Sequence, residues 1–593
     1  MAPWNRLHWS LSLGATATLV MTLPGHADAP LSLVYPPDQH QTGADRIFFI
    51  GTAAPDQPVY INGQVIEARS AAGHFAPSLP LELGDNTFTL RQGDDTLTLT
   101  VTRLPQGPPP PEGIAFVAGS LQPTVDTAYQ PGETVCLGAL APAEAEVSVE
   151  LGPRRFSLAP QTSIELPPNY AALTDEGEPY VAAPVSYQGC FIADQPGDLG
   201  TPTYRLSLQG TTSTQSAPGA LSILAPDQFD IAEVTADSGT ARTGPSTSHS
   251  RLTPLPQGTR AQVTGRQGDW LRLDYGGWIH GSQTQVTRNT VPPQSIIRSI
   301  TARQVPGWTE VRFPLQVPVP IQVEQTAERL TLTLHNTVAQ TDTIFFSDDP
   351  VVQRLDWRPI LPDQAQYTFH LTSQQPWGYR LRYQDTTLVL SLRHPPVLGN
   401  SAPLQGATIL LDPGHGGEEL GARGPTGYPE KAVNLVVSQR LQAELEARGA
   451  RVLLTRQEDK AVSLRDRMDQ IAAAEPTLAL SIHYNALPDS GDALNTSGIG
   501  AFWYHAQAHD LAVFLHDYLT TRLGRPSYGI FWNNLALTRP TVAPAVLLEL
   551  GFMINPDEFE WITDPEAQEA LAATLADGIT AWLRHAIPPG ERP

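Results

Sequence analysis

Near the C-terminal end of this sequence, three apolar runs each stop at a residue able to bind a metal or move a proton. Thr408-Ile409-Leu410-Leu411 leads into Asp412-Pro413-Gly414-His415-Gly416-Gly417, a tight turn that exposes a histidine. Residues 478–482 lead into His483, followed by Tyr484-Asn485, and residues 545–548 lead into Glu549, followed by Leu550-Gly551-Phe552. A fourth polar group, Glu430, opens an amphipathic helix pattern. Two imidazoles and one carboxylate make a catalytic zinc set that leaves a position for water. The ion lowers that water's pKa to about 7 and polarises a carbonyl oxygen, and a second carboxylate can carry the water's proton to a leaving amine. The set assigns His415, Glu430 and His483 to one Zn2+ and Glu549 to the base, which is chemistry for hydrolysing an amide. Taken singly these residues have plainer readings. A histidine on a turn is usually a surface residue, and a glutamate opening a helix usually serves the helix dipole. Glu549 resists such a reading best, because an apolar strand rarely ends in a carboxylate between Leu548 and Leu550 without a partner.

The pattern around these residues says what must position them. From about 404 onward, short apolar runs alternate with helical patterns. Val433, Val437, Leu441 and Leu445 repeat every four residues on one face, and Gly449 stands at the expected stop. Strand, helix, strand, helix predicts a mostly parallel sheet flanked by helices, with ligands gathered at the strands' carboxyl ends.

At 593 residues the chain exceeds one hydrophobic core. Its 56 prolines and 47 glycines suit many short strands and turns. The expected fold class is therefore multidomain, with N-terminal all-β modules followed by an α/β catalytic domain over 404–586. Residues 30–104 show period-two runs broken by turns such as Asn62-Gly63, the pattern of an antiparallel Ig-like sandwich. A proline-rich linker at 105–111 follows, then a β-rich segment at 116–225 that carries Cys136 and Cys190. Units at 231–288 and 296–395 complete the β-rich part. The formal charge of −23 argues against nucleic acid as a partner and against anchoring on anionic lipid. Arg6, an uncharged apolar run at 11–23 and small residues after it read as an export signal over 1–27. The mature chain is expected to have no stable membrane insertion. A disulfide between the two cysteines is permitted in that compartment, with two separate buried thiols as the alternative.

The motifs resemble the zinc-dependent N-acetylmuramoyl-L-alanine amidases (amidase type 3 catalytic domain). The resemblance rests on Asp412 to Gly417, on Glu430-Lys431-Ala432-Val433-Asn434-Leu435, on Ser481 to Asn485, and on Glu549 to Pro556. It covers about 404–586 and implies cleavage of the amide between the N-acetylmuramoyl lactyl group and L-alanine of peptidoglycan. It also implicates Asn485 and Arg539 as substrate contacts. The 66 residues from His483 to Glu549 are expected to hold a strand and one helix, leaving little room for the long inserted blocking helix of some relatives. Glu418 and Glu419 stand as extra acids near the metal with no assigned task. The unit at 231–288 resembles bacterial SH3-like modules, with Trp270 and Trp278 read as barrel core rather than as a wall-binding groove. The segment at 296–395 loosely resembles the AMIN sandwich. Together these imply an exported enzyme of the periplasm or cell envelope with peptidoglycan as its partner, its regulators unknown. The alternatives are a zinc carboxypeptidase or endopeptidase of the stem peptide, and a catalytically silent wall-binding protein.

Overall fold

The computed structural model describes residues 30–105 and 113–587, except 163, 168, 170, 175–179 and 182–184. The expected export signal and most of the proline-rich linker lie outside the described residues. No described helix is long and apolar enough to cross a membrane.

The chain runs through many short strands before its first long helix, as its proline and glycine content leads one to expect. Residues 32–103 form small sheets around Ile47, Phe49, Phe75 and Leu90, antiparallel except where His40–Thr42 runs parallel to Asp95–Arg103. In the next segment, Thr134–Ala141 pairs with Val185–Ile192, which sets Cys136 opposite Cys190, and the two are joined as a disulfide. This segment is not insulated from the one after it. Thr127–Tyr129 pairs with both Leu221–Ile223 and Arg260–Gln267, so a single eight-stranded sheet crosses from one unit into the SH3-like one. Residues 295–393 form two facing sheets of five and four strands, closed around Val311, Phe313, Leu332 and Phe369.

The structure corrects the expectation for the two tryptophans. Along Trp270–Leu273 the pleat turns Leu271 and Leu273 inward, and in Trp278–His280 it turns Ile279 inward. Trp270 and Trp278 therefore face outward and are half-buried. Trp270 meets His280 edge-on, and Trp278 lies under the Arg272 guanidinium.

The C-terminal unit is built on a six-stranded sheet. Its elements are β1 (Thr408–Pro413), α1 (Glu430–Ala447), β2 (Arg451–Leu454), α2 (Leu464–Ala474), β3 (Leu478–Asn485), β4 (Ile499–Trp503), α3 (Ala506–Leu523), β5 (Ser527–Trp532), β6 (Ala545–Phe552), α4 (Pro556–Thr563) and α5 (Pro565–Ala586). The strand order is β2-β1-β3-β6-β4-β5. Strands β2, β1, β3 and β6 are parallel, whereas β4 runs against β6 and β5 follows β4. The four-residue repeat of α1 puts Val433, Val437, Leu441 and Leu445 at zero exposure against the sheet. Helix α1 ends at Ala447, and Gly449 turns away with φ +93°. Helix α5 packs beside α1 and α3 through Leu571, Leu575, Ile579 and the fully buried Trp582.

Candidate active site

Strands β1, β3 and β6 are neighbours and run the same way, so their carboxyl ends open on one side of the sheet. The turn after β1 carries His415 in the left-handed region, with φ +58°. Glycine follows at 416 and 417, both with positive φ, and lets the chain double back. Two further glycines are required by close approach. A Cβ on Gly414 would fall 2.2 Å from the His483 ring, and one on Gly421 would fall 2.4 Å from Glu430 Oε2.

These approaches bring three donors together. His415 Nε2 lies 3.1 Å from Glu430 Oε2, and His483 Nδ1 lies 3.0 Å from Glu430 Oε1. One donor atom from each of the three residues lies within 4.8 Å of the others. Glu430, the first residue of α1, is buried at 3% exposure. Its oxygens also accept from the backbone N–H of Ala422 and Tyr484 and from Asn434 Nδ2, at 2.9, 3.1 and 3.0 Å. Burial alone would raise its pKa, but hydrogen bonds and charge from His415 and His483 outweigh that and hold the carboxyl well below the usual range.

The turn is held from beneath by a buried ion pair. Asp412 Oδ1 accepts from Arg467 at 2.5 Å and from Thr455 Oγ1, while Oδ2 accepts from Ser481 Oγ. Arg467 also donates to the carbonyls of Pro413 and His415. Arg456, 1% exposed, donates to the carbonyls of Pro413, Gly414 and Lys431. Lys431 Nζ donates to the Gly417 carbonyl and to Asp459, whose other oxygen accepts from Gly417 N. Much of the motif around the donors is thus scaffolding that fixes the orientation of one imidazole.

Glu549 stands on β6 with its side chain toward a cavity of about 320 Å³, which Asn485, Phe502, Tyr528 and Asn533 also line. Its Oε2 is buried and has no hydrogen-bond partner among the described residues. Burial raises its pKa well above the ordinary carboxyl value, and the nearby negative charge of Glu430 raises it further. Asn555 and Pro556, at the end of the same motif, have a structural task. Asn555 caps α4 by accepting from Asp557 N and Glu558 N, and its amide ties down the carbonyls of Leu494 and Thr496.

The expected substrate contacts separate. Asn485 lines the cavity beside Glu549. Arg539 instead lines an adjoining cleft, with its guanidinium on the side chain and carbonyl of Asn534. Sequence reasoning gave Glu419 no task, yet its Oε1 lies 2.9 Å from His415 Nδ1, the ring nitrogen turned away from Glu430. Arg456 and Arg467 were also missed. A pairing over 55 residues, from Asp412 to Arg467, leaves no local pattern.

The segment between His483 and Glu549 contains two strands, one α-helix and a short 3-10 turn at Ala536–Thr538, rather than one strand and one helix. Helix α3 buries Leu511, Leu515 and Leu519 in the core and does not reach the cavity. Two other modules do approach it. Leu173 lines the cavity, and its carbonyl accepts from the Tyr528 hydroxyl. The N-terminal sandwich grips the loop after β3: His40 Nε2 is 2.8 Å from Asp489, Tyr35 bonds the same carboxylate, and Ser78 Oγ donates to the Gly491 carbonyl.

The two imidazoles and one carboxylate suit zinc by donor type, and the unpartnered Glu549 Oε2 at the cavity suits a group that handles a proton. Residues 409–581 match the N-acetylmuramoyl-L-alanine amidase family, and residues 237–284 match the bacterial SH3 domain family. A probable cell wall amidase of Staphylococcus aureus, LytH, is 38% identical over 183 residues, or 30% of this chain. The chain spans 60% of the length of that relative. Among solved structures, the catalytic domain of CwlV, an N-acetylmuramoyl-L-alanine amidase from Bacillus (Paenibacillus) polymyxa, is 29% identical with a TM-score of 0.28. That match covers 30% of this chain and 98% of the other. AmiC2 of Nostoc punctiforme, another such amidase, is 28% identical with a TM-score of 0.29, covering 31% of this chain and 99% of its own.

Proposed function

We propose that this chain is a zinc-dependent peptidoglycan hydrolase, exported to the cell envelope or periplasm, that cleaves the amide between N-acetylmuramic acid and L-alanine. The observation that carries this reading is the convergence of His415, Glu430 and His483 within 4.8 Å at the strand ends, beside a cavity walled by Glu549. The family match over 409–581 supplies the choice of bond.

His415, Glu430 and His483 would hold the ion, which when bound polarises the amide carbonyl and acidifies water. The rest falls to the chain's own groups. Glu549, as carboxylate, takes the proton of the attacking water on an oxygen left free of other hydrogen bonds. Its raised pKa makes it a stronger base once ionised, and afterwards a competent donor to the departing alanine nitrogen. Glu419 holds the His415 ring by its outer nitrogen. Asn485 lines the cavity wall, which supports a role for its side chain in binding the substrate's backbone amides.

Digestion of purified peptidoglycan, followed by identification of the released termini, tests the bond. New N-terminal alanine is expected. Termini exposed only within the stem peptide would reassign the enzyme to the peptidases, and intact wall would leave a binding protein.

A further inference from the structure

Beside the catalytic cavity lies a larger cleft of about 640 Å³, walled by three modules. The SH3-like unit contributes Arg251 and Tyr275, the sandwich contributes Tyr379, and the catalytic unit contributes Tyr504, Trp532 and Arg539. Hydrogen bonds join the cleft's walls. Val323 N donates to Thr253 Oγ1 at 2.9 Å, and Tyr379 N donates to the Thr541 carbonyl at 2.7 Å.

Its charge runs against the rest of the molecule. With 60 acidic against 37 basic residues, an arginine here has no shortage of carboxylates to pair with. Yet Arg251 and Arg539 in the wall, and Arg242 buried behind them, form no ion pair among the described residues. Arg251 reaches Thr240 Oγ1 at 3.3 Å, Arg539 reaches Asn534, and Arg242 reaches the carbonyls of Thr247 and His249. Burial, and repulsion from the other two guanidiniums, push the Arg539 pKa down to about 10. Concentrated positive charge without a protein counter-ion calls for an external anion, and the guanidinium fork matches a carboxylate. The rim adds an apolar ledge. Trp532 is 62% exposed, and its ring lies 5.2 Å from that of Tyr504. A bare inorganic anion has no use for that ledge, whereas a peptide bearing carboxylates uses both features.

We infer that this inter-module cleft is a second binding site, in which Arg251 and Arg539 hold the free carboxylates of a peptide stem while Trp532 and Tyr504 support its apolar part. The naming of the peptide rests on the proposed function. The two sites share a wall: Trp532 and Asn534 border this cleft, and Asn533 and Leu535 border the cavity of Glu549. A stem bound here therefore reaches the site of cleavage, and the SH3-like unit takes part in selecting substrate.

The test uses the full chain carrying Glu549→Gln, so that turnover does not interfere. A stem tetrapeptide with free carboxylates, the same peptide with its carboxylates amidated, and inorganic phosphate are each titrated by calorimetry. Amidation, or Arg251→Gln, is expected to weaken binding by about tenfold or more. Trp532→Ala, at an exposed position, should also weaken it while leaving the unfolding temperature unchanged. Against intact wall, in the chain that keeps Glu549, Arg251→Gln should raise KM and leave kcat alone. Equal binding of free and amidated peptide, indifference to Arg251→Gln, or phosphate binding as tightly as the peptide would each overturn the assignment. The two readings fail separately. Binding through Arg251 without wall hydrolysis discards the amidase, and hydrolysis with binding indifferent to Arg251 discards the cleft.

Discussion

His483 and Glu549 stand opposite each other on adjacent parallel strands, paired Cα to Cα in the register of β3 and β6. A candidate ligand and the candidate base are therefore spaced by the backbone ladder itself rather than by a loop, which suits a site that must hold its geometry closely. On its other side Glu549 pairs with Gly500 of β4, where a Cβ would lie 3.3 Å from the Tyr528 ring and 3.6 Å from Glu549 Cβ, so the missing side chain lets these groups close over the strand.

Glu419 faces the outer nitrogen of His415. Carboxylates in that position fix ring orientation and raise ligand basicity. Glu419→Gln should weaken zinc binding by roughly 10- to 100-fold while the fold is retained. Glu418→Gln, at the exposed neighbouring position, should not change it. Competition with a chromogenic chelator reads both, and equal affinities for the two variants would remove Glu419 from the site.

The Asp412–Arg467 pair is 2% and 3% exposed on its two side chains. Arg467→Ala would leave a buried carboxylate with only two hydroxyl donors. Losing one partner of a buried pair costs about 3–5 kcal/mol. The catalytic unit's unfolding midpoint in urea should fall accordingly, with zinc affinity falling alongside. Arg465→Ala, 71% exposed two residues away, should change the stability by no more than about 0.5 kcal/mol and so barely move that midpoint.

Asp274 gives a pH dependence outside the site. Burial pushes its pKa up from 3.8 to about 6, although Gln262 N and Asn336 Nδ2 donate to it, and its Oδ1 is buried without a partner among the described residues. A folded-state pKa above the unfolded one means the folded chain holds this proton more tightly. Its contribution is therefore complete below about pH 4 and is lost as pH rises through about 6. The loss amounts to no more than about 3 kcal/mol. Asp274→Asn should flatten that part of the stability profile. An unchanged slope between pH 4 and 6 would show that Asp274 is not the group responsible.

What the sequence could reveal follows from how far each contact reaches. The four site residues end apolar runs or open a helix, and each brings its own local signature, so their types and order were readable without coordinates. The α1 repeat and its stop at Gly449 were readable for the same reason. The supports were not. Arg467 reaches the Asp412 turn across 55 residues, and Tyr35 and His40 reach Asp489 from the far end of the chain. Trp270 and Trp278 were misread because aromatic content suggests core, whereas the strand's alternation with Leu271, Leu273 and Ile279 decides which face is buried. Arg539 was implicated only through the family resemblance. Spacing along the chain does not show that residues 532–535 wall one cleft from the other.

The account turns on zinc held by His415, Glu430 and His483 with Glu549 as the base. The direct measurement is zinc content and wall-hydrolysis rate, determined together on the full chain and on its His483→Ala and Glu549→Gln forms. The account predicts one zinc per chain in the parent, loss of both zinc and activity in His483→Ala, and retained zinc in Glu549→Gln with a rate lower by roughly 10²- to 10⁴-fold. Full activity from chain stripped of metal, or an unchanged rate in Glu549→Gln, would contradict it.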